Sequence, residues 1–259
     1  MPEALQGLHI AVTRPAHQAA GFEQALQQAG VKVLLLPLVE IRPPDNPTAI
    51  PLILAQLAHY DTALFISANA VEYGLPALNS AQQARLHQMT LGAIGKQTAK
   101  ALQQHGFTAH WVPAHGFTSE DFLALPQTQH LAGRHILIFH GQGGRELLAD
   151  TLRERGAQVT YLDAYQRVCP QIDANHLKYL HEQRQLDIIT ITSSEGLLNL
   201  LTLLENPDWI KTVPLLVGSQ RMLATARSAG FTGTIRIADN PGDEAMFQAL
   251  IDWAQEFQA

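Results

Sequence analysis

The sequence predicts an α/β protein of two similar doubly wound parallel-sheet domains, and two observations carry that expectation. Short apolar runs without polar interruption alternate with helical segments, the pattern of parallel strands covered on both faces. The second half of the 259-residue chain also repeats the first at a nearly constant offset. Gly7-Leu8-His9-Ile10 matches Gly133-Arg134-His135-Ile136, Gly30 matches Gly156, and Asp61–Ser67 matches Asp187–Ser193, each pair 126 positions apart. A period that long exceeds the roughly 20–50 residues of a solenoid unit and indicates two copies of one fold. Where one copy carries a polar group that the other lacks, function is the first suspect.

The elements follow in order. Leu8–Thr13 is the first strand. Arg14-Pro15 comes next, and proline suits the first helical position because its missing N–H has no partner there. Ala19, Phe22 and Leu26 give helical spacing up to Ala29, with Gly30 as the stop. Val31–Leu36 is the next strand, which completes a β-α-β unit. Its counterpart is a strand over Ile136–Phe139, a helix from Arg145 to Arg155, then Gly156 and a strand over Val159–Leu162. After each unit runs an extended stretch ending in proline, Pro37–Pro44 and Asp163–Pro170. Each copy continues through a helix to strand Ala63–Ser67 or Ile188–Thr192, another helix, and strand Thr90–Ile94 or Leu215–Val217. A helix closed by Gly106 or Gly230, a further strand and a final helix near Phe122 or Phe247 bring each copy to about five strands. The offset drifts in this region, where Gly95 is matched with Gly218 and Leu125 with Leu250.

Composition narrows the function. Apolar residues at 46% and charged residues at 15% describe a globular chain long enough for two ordinary domains. A net charge of −6 argues against general nucleic-acid binding, so any anion recognition is local. Cys169 stands alone and excludes an intramolecular disulfide. Met1-Pro2-Glu3-Ala4 resembles no signal peptide, and no apolar run approaches a membrane span, so a cytoplasmic protein is expected. The twelve histidines are scattered; His105, His110 and His115 fall on different elements and share no face, which argues against a metal site.

Several segments fit anion binding at strand ends. Gly141-Gln142-Gly143-Gly144-Arg145 joins a strand to a helix, where glycines let backbone N–H groups approach an anion. The same glycines also suit a tight turn. Glu146 breaks the dinucleotide fingerprint, which needs a small residue there. Ser67–Asn69 and Ser193–Glu195 follow matching strands; Asn69 with Glu72, and Thr192 with Glu195, fit capping boxes, which are compatible with binding. Ser67, Ser193 and Ser194 are substrate-contact candidates. Thr98 opens a helix at the carboxyl end of a strand, the edge where open α/β sheets bind ligands. Arg14 after the first strand is either a surface residue or an anion contact.

Taken in order along the chain, these segments resemble the uroporphyrinogen-III synthases. The residues that carry the resemblance are Val12-Thr13-Arg14-Pro15, Ser67-Ala68-Asn69-Ala70-Val71 and Ile94-Gly95-Lys96-Gln97-Thr98-Ala99. Gly141 through Leu148, Ala164-Tyr165-Gln166-Arg167, Thr192-Ser193-Ser194-Glu195-Gly196 and Val217-Gly218-Ser219 complete the set. The Gly-Gly-Arg-Glu-Leu-Leu segment followed by Tyr-Gln-Arg is the specific part. The resemblance runs from about Gly7 to about Leu250.

It implies two domains joined by a two-stranded linker. Residues 1–36 plus 171–259 would form domain one, residues 43–162 domain two, and 37–42 and 163–170 the linking strands. Each first β-α-β unit would then complete the sheet of the other copy. The implied reaction is cofactor-free closure of hydroxymethylbilane, a linear tetrapyrrole polycarboxylate, to uroporphyrinogen III, with loss of water and inversion of ring D through a spiro intermediate. Arg14, Ser67, Asn69, Gly143, Gly144, Arg145, Ser193, Ser194 and Ser219 would hold carboxylates. Thr98 and Tyr165 would be catalytic: at the offset of 126, Tyr165 stands opposite Val39, so one copy alone has a phenol there. Where family members carry threonine in the second copy this chain is matched at Arg221, which shifts the hydroxyl role to Ser219. No metal, nucleic acid or membrane partner is implied; a monomer is expected, with transient contact with the preceding enzyme of the pathway left open. The rival reading is a two-domain module that binds a tetrapyrrole or another polyanion without chemistry.

Overall fold

The computed structural model describes residues 3–143 and 146–258. The chain divides into two units, Met1–Glu40 with Val168–Ala259, and Ile41–Arg167. In chain order the elements are β1 (His9–Val12), α1 (Ala16–Gln28), β2 (Lys32–Leu35), β3 (Glu40–Arg42), α2 (Ala49–Ala55), β4 (Thr62–Phe65), α3 (Ala68–Gly74) and α4 (Ser80–Leu86). Then come β5 (Thr90–Ala93), α5 (Lys96–Gln104), α6 (Ser119–Leu123), β6 (His135–Gly141), α7 (Leu147–Glu154) and β7 (Gln158–Val168). The chain finishes with α8 (His176–Glu182), β8 (Ile188–Ile191), α9 (Ser194–Leu203), β9 (Leu215–Val217), α10 (Gln220–Ser228), β10 (Ile235–Ile237) and α11 (Asp243–Gln258). Among the described residues no helix is long and apolar enough to cross a membrane.

Each unit is built on a five-stranded sheet, ordered β10-β9-β8-β1-β2 in the first and β3-β7-β6-β4-β5 in the second. β1 pairs in parallel with β2 and β8, and β6 pairs in parallel with β7 and β4. So the β-α-β unit of each sequence copy sits beside strands of the other copy. Both faces of the sheets are covered, as uninterrupted apolar strands require. Ile10, Val12 and Ile188 pack with Phe22, Leu26, Leu250 and Trp253 on one face of the first sheet. Ala11, Ile189 and Ile191 pack with Leu38, Leu197 and Leu200 on the other. Leucine, isoleucine and phenylalanine side chains contribute about 1.5–3 kcal/mol each when fully buried, so these two clusters hold the first unit together.

The repeat is visible in polar contacts as well. The His9 N–H donates to Asp187 Oδ2 at 2.7 Å, and its equivalent, the His135 N–H, donates to Asp61 Oδ2 at 2.8 Å. Each aspartate thus fixes the start of the neighbouring strand. Gly30 and Gly156, with φ of +81° and +96°, close the matching helices in the left-handed region that favours glycine.

Several sequence expectations need correction. Pro15 caps α1 rather than occupying its first turn, since its ψ of 137° is extended. α7 begins at Leu147, and Arg145 lies outside the described residues. The strand expected after Gly106 is reduced to one bridge, Gly92 to Trp111, whereas β10 forms in the first unit. β7 runs from Gln158 to Val168, well beyond Leu162, and has β3 as its second neighbour in the sheet. The matching of Thr98 with Arg221 also changes. β5 and β9 end at Ala93 and Val217, and α5 and α10 start at Lys96 and Gln220, so the offset here is 124. Thr98 therefore corresponds to Met222, and both are buried, whereas Arg221 is exposed.

Candidate active site

In the second unit β4 and β5 lie side by side, and their carboxyl ends turn into α3 and α5. Ser67, in extended conformation, caps α3 by accepting the Ala70 N–H at 3.1 Å. Gly95 caps α5 without a side chain, and the space is needed: a Cβ there would lie 2.9 Å from the Phe117 Cβ. The segment Ala114–Phe117 crosses this end of the sheet and is tied down by Asp121, which accepts the Phe117 and Thr118 N–H groups at 3.0 and 2.9 Å. The Thr118 hydroxyl and these N–H groups hold the Asp121 carboxyl below its ordinary range. The result is a cavity of about 500 Å³ lined by Ser67, Gly95, Lys96, Gln97, Thr98, His115 and Phe117, among others.

Tyr165 reaches this site by an irregularity in β7. His140 faces Asp163 in the parallel ladder, but Gly141 faces Tyr165, so Ala164 has no partner. This bulge inserts one residue, and in a strand one residue decides the face. Ala164 and Tyr165 consequently both project toward α3. The Ala164 Cβ lies 3.5 Å from the Cβ position of Gly74, and the Tyr165 hydroxyl lies 3.0 Å from Ser67 Oγ. Tyr165 is 4% exposed, and a Cβ on Gly141 would fall 2.6 Å from its Cζ, so glycine at 141 makes room for the ring. The Gln142 N–H then donates to the Tyr165 carbonyl at 2.8 Å, which fixes the strand beyond the bulge.

Ser67, Thr98 and Tyr165 are thus gathered in one unit, the first two lining the cavity and the third hydrogen-bonded to Ser67. Gly143 follows with φ of +80°, a backbone that favours glycine; Gly144 and Arg145 lie outside the described residues. Asn69 is the second residue of α3, half-buried, and does not cap it. The capping boxes read at Asn69–Glu72 and Thr192–Glu195 are corrected to serine caps, because each helix starts directly after the serine. Glu72 instead meets His105 Nε2 at 3.1 Å.

In the first unit Ser193 caps α9 by accepting the Gly196 N–H at 2.9 Å, and Ser219 caps α10 by accepting the Met222 N–H at 3.3 Å. Ser194 Oγ lies 3.0 Å from the Thr225 hydroxyl. All three stand at carboxyl ends of β8 and β9. Arg14 is 7% exposed, ion-paired with Asp243, donates to the Pro241 carbonyl at 2.8 Å and lies 4.7 Å from the Phe22 ring centre. Its guanidinium is thus paired within the unit. The two hydroxyls of Thr98 and Tyr165 have no counterpart here, since Met222 and Val39 occupy the matching positions.

Sequence reasoning missed Lys96, an exposed cation on the cavity wall at the first position of α5. A lysine directly after a strand-ending glycine was the available signal. Chemically the cavity offers hydroxyls, a cation and the free N–H groups of a helix start, a set suited to carboxylates.

Comparison with known proteins gives a consistent picture. The family model described as uroporphyrinogen-III synthase HemD matches residues 20–248. The uroporphyrinogen-III synthase of Escherichia coli is 32% identical over 246 residues, covering 94% of this chain and 100% of that protein. The Salmonella typhimurium protein of the same name is 31% identical, again with 94% and 100% coverage. Among solved structures, a mutant uroporphyrinogen III synthase of Thermus thermophilus aligns with a TM-score of 0.62 at 19% identity, covering 97% and 100% of the two chains. The Helicobacter pylori enzyme aligns with a TM-score of 0.62 at 18% identity, covering 96% and 99%. These structures support the two-domain α/β fold.

Proposed function

The chain belongs to the uroporphyrinogen-III synthase family, and we propose on that premise that the second unit's hydroxyl site closes hydroxymethylbilane to uroporphyrinogen III. The hydroxyl of the terminal hydroxymethyl group leaves as water, and the carbon becomes an azafulvene cation. The substituted α-carbon of ring D attacks it to give a spiro intermediate, which fragments and recloses with ring D reversed; a ring proton is lost. Overall one water is expelled.

Tyr165 donates the proton that the departing hydroxyl needs, through a phenol paired with Ser67. That pairing, at 3.0 Å beside the cavity, is the observation that carries the reading. Thr98 orients the reacting end, and Lys96 with the α5 N–H groups holds a carboxylate. Ser193, Ser194, Ser219, Asn69, Gly143, Gly144 and Arg145 serve further acetate and propionate groups. The catalytic work is chiefly positioning, which is worth the most when closure is intrinsically easy and the wrong isomer forms spontaneously. No metal or organic cofactor takes part, residues 37–42 and 163–170 act as linking strands, and the protein works in the cytoplasm as a monomer. The test is to supply freshly generated hydroxymethylbilane to chelator-treated protein and to measure the isomer ratio after oxidation. Mainly type III product is expected; a product dominated by type I overturns the assignment.

A further inference from the structure

The proposed reaction leaves a titratable pair on β6 and β7 unused, a buried histidine and an aspartate whose side chain is 47% exposed. His140 is 8% exposed, and its Nε2 lies 2.7 Å from Asp163 Oδ1, close but outside hydrogen-bond alignment. Its ring sits 4.1 Å from that of Tyr161, over which Arg153 of α7 is placed at 5.9 Å. Glu146, ahead of α7, also faces it electrostatically. The location is specific. His140 and Asp163 form the last ladder pair in regular register, and the next pair, Gly141 with Tyr165, follows the unpartnered Ala164. Without the bulge Tyr165 would share the face of Tyr161 and Asp163 and point away from Ser67.

We propose that His140 and Asp163 form a positioning pair that locks the strand register directly before the bulge and so keeps Tyr165 on the Ser67 face. The Gln142 N–H to Tyr165 carbonyl bond locks the other side at 2.8 Å. Pairing Ala164 instead of skipping it would turn Tyr165 to the other face, and a side-chain pair at the last regular position opposes that slip. The sequence repeat supports the idea. The position matching His140 at the offset of 126 is Arg14, also buried and also paired with an aspartate, Asp243. In the first unit that partner lies on α11 and fixes a helix. In the second it lies on the strand that delivers the phenol.

This inference deepens the functional reading above and rests on it for the role of Tyr165. The test uses the full chain with tyrosine ring carbons labelled, the Tyr165 resonance being assigned by its loss in Tyr165→Phe. His140→Phe keeps a ring but no partner for the acid, and Asp163→Asn removes the charge; if one fails to fold, the other serves. Each is expected to move or broaden the Tyr165 resonance and to lower kcat about tenfold with KM unchanged. The double variant is expected to be no worse than either single. His140→Gln, whose amide can still donate to Asp163, is expected to restore both the resonance and kcat. An unmoved Tyr165 resonance in a folded variant, or a rise in KM alone, overturns the proposal. The resonance is read without substrate, so a wild-type protein that makes no type III isomer sinks the functional reading and leaves this test intact.

Discussion

Replacing Tyr165 with phenylalanine removes one oxygen and little else. The ring keeps its place, because the packing at Gly141 is set by ring carbons, with a Cβ there falling 2.6 and 2.7 Å from Cζ and Cε2. What is lost is a hydroxyl contact of 3.0 Å to Ser67, whose oxygen retains the Ala70 N–H at 3.1 Å. A neutral hydrogen bond of this kind contributes about 1 kcal/mol net, and in a chain of this size that lowers Tm by roughly 2–4 °C. General acid assistance is worth roughly 10²–10⁴-fold, and an intrinsically easy ionisation places this reaction at the low end. Turnover should therefore fall at least about tenfold, equivalent to about 1.4 kcal/mol of barrier. The fraction of type I isomer should rise, because substrate released before closure cyclises on its own. The assay is initial-rate consumption of freshly generated hydroxymethylbilane with chromatographic resolution of the oxidised isomers, alongside a melting curve. A variant that melts at the wild-type temperature and turns over normally would show the phenol to be only a strand aromatic.

Further perturbations separate the contributions. Thr98→Ala, which removes an orienting contact from a buried position, should lower turnover less than Tyr165→Phe in the same assay. Gly141→Ala should do at least as much damage as Tyr165→Phe while leaving the phenol present, because the new methyl displaces the ring tip; overpacking of this kind costs about 1–3 kcal/mol, readable by denaturant titration. Burial holds His140 below its ordinary value of 6.5, against the opposing pull of Asp163 and Glu146. The unfolded chain therefore takes up that proton first, so the corresponding stability is present above about pH 6.5 and is lost as pH falls below it; His140→Gln should flatten this slope. Burial raises the Asp61 carboxyl, but the His135 N–H, the Thr62 hydroxyl and Arg134 outweigh it and hold the group below 3.8. Its stabilisation is present above that value and lost in acid, so Asp61→Asn should lower the denaturation midpoint at pH 7 and narrow the gap to wild type below pH 3.8.

The central strands of both sheets were legible because each is an apolar run flanked by turn residues, whereas β3 (Glu-Ile-Arg) and β10 (Ile-Arg-Ile) carry no such run. The helix stops were legible for the same reason, since glycine at 30, 106, 156 and 230 does work that other residues do at a steric cost. Single-residue matters were not legible. Nothing in Asp163-Ala164-Tyr165 announces that Ala164 is skipped in the ladder, yet that skip decides which face the phenol occupies. The drift of the repeat was visible but set one residue off, with Gly95 matched to Gly218, and the element ends are what show that Thr98 answers to Met222. The pairing of Arg14 with Asp243 was not legible either, because the two are 229 positions apart. Long-range pairing of that kind leaves no local pattern. Lys96 and the loop Ala114–Phe117 meet around the cavity for the same reason, through tertiary packing alone.

The crossed assignment of the two sequence copies has a consequence for how the chain is made. The second unit occupies one continuous stretch, Ile41–Arg167, whereas the first needs both the opening segment and everything after Val168. The His9 N–H and its acceptor Asp187 are 178 positions apart, so at about 5–20 residues per second β8 follows β1 out of the ribosome by about 9–36 s. Throughout that interval β1 and β2 form at most a two-stranded ribbon, too small to be stable alone, with Ile10, Val12 and Phe22 uncovered. The unit that carries the phenol can therefore finish folding while the other is still half made. The order of assembly is written into the topology: the segment synthesised first is among the last to find its sheet.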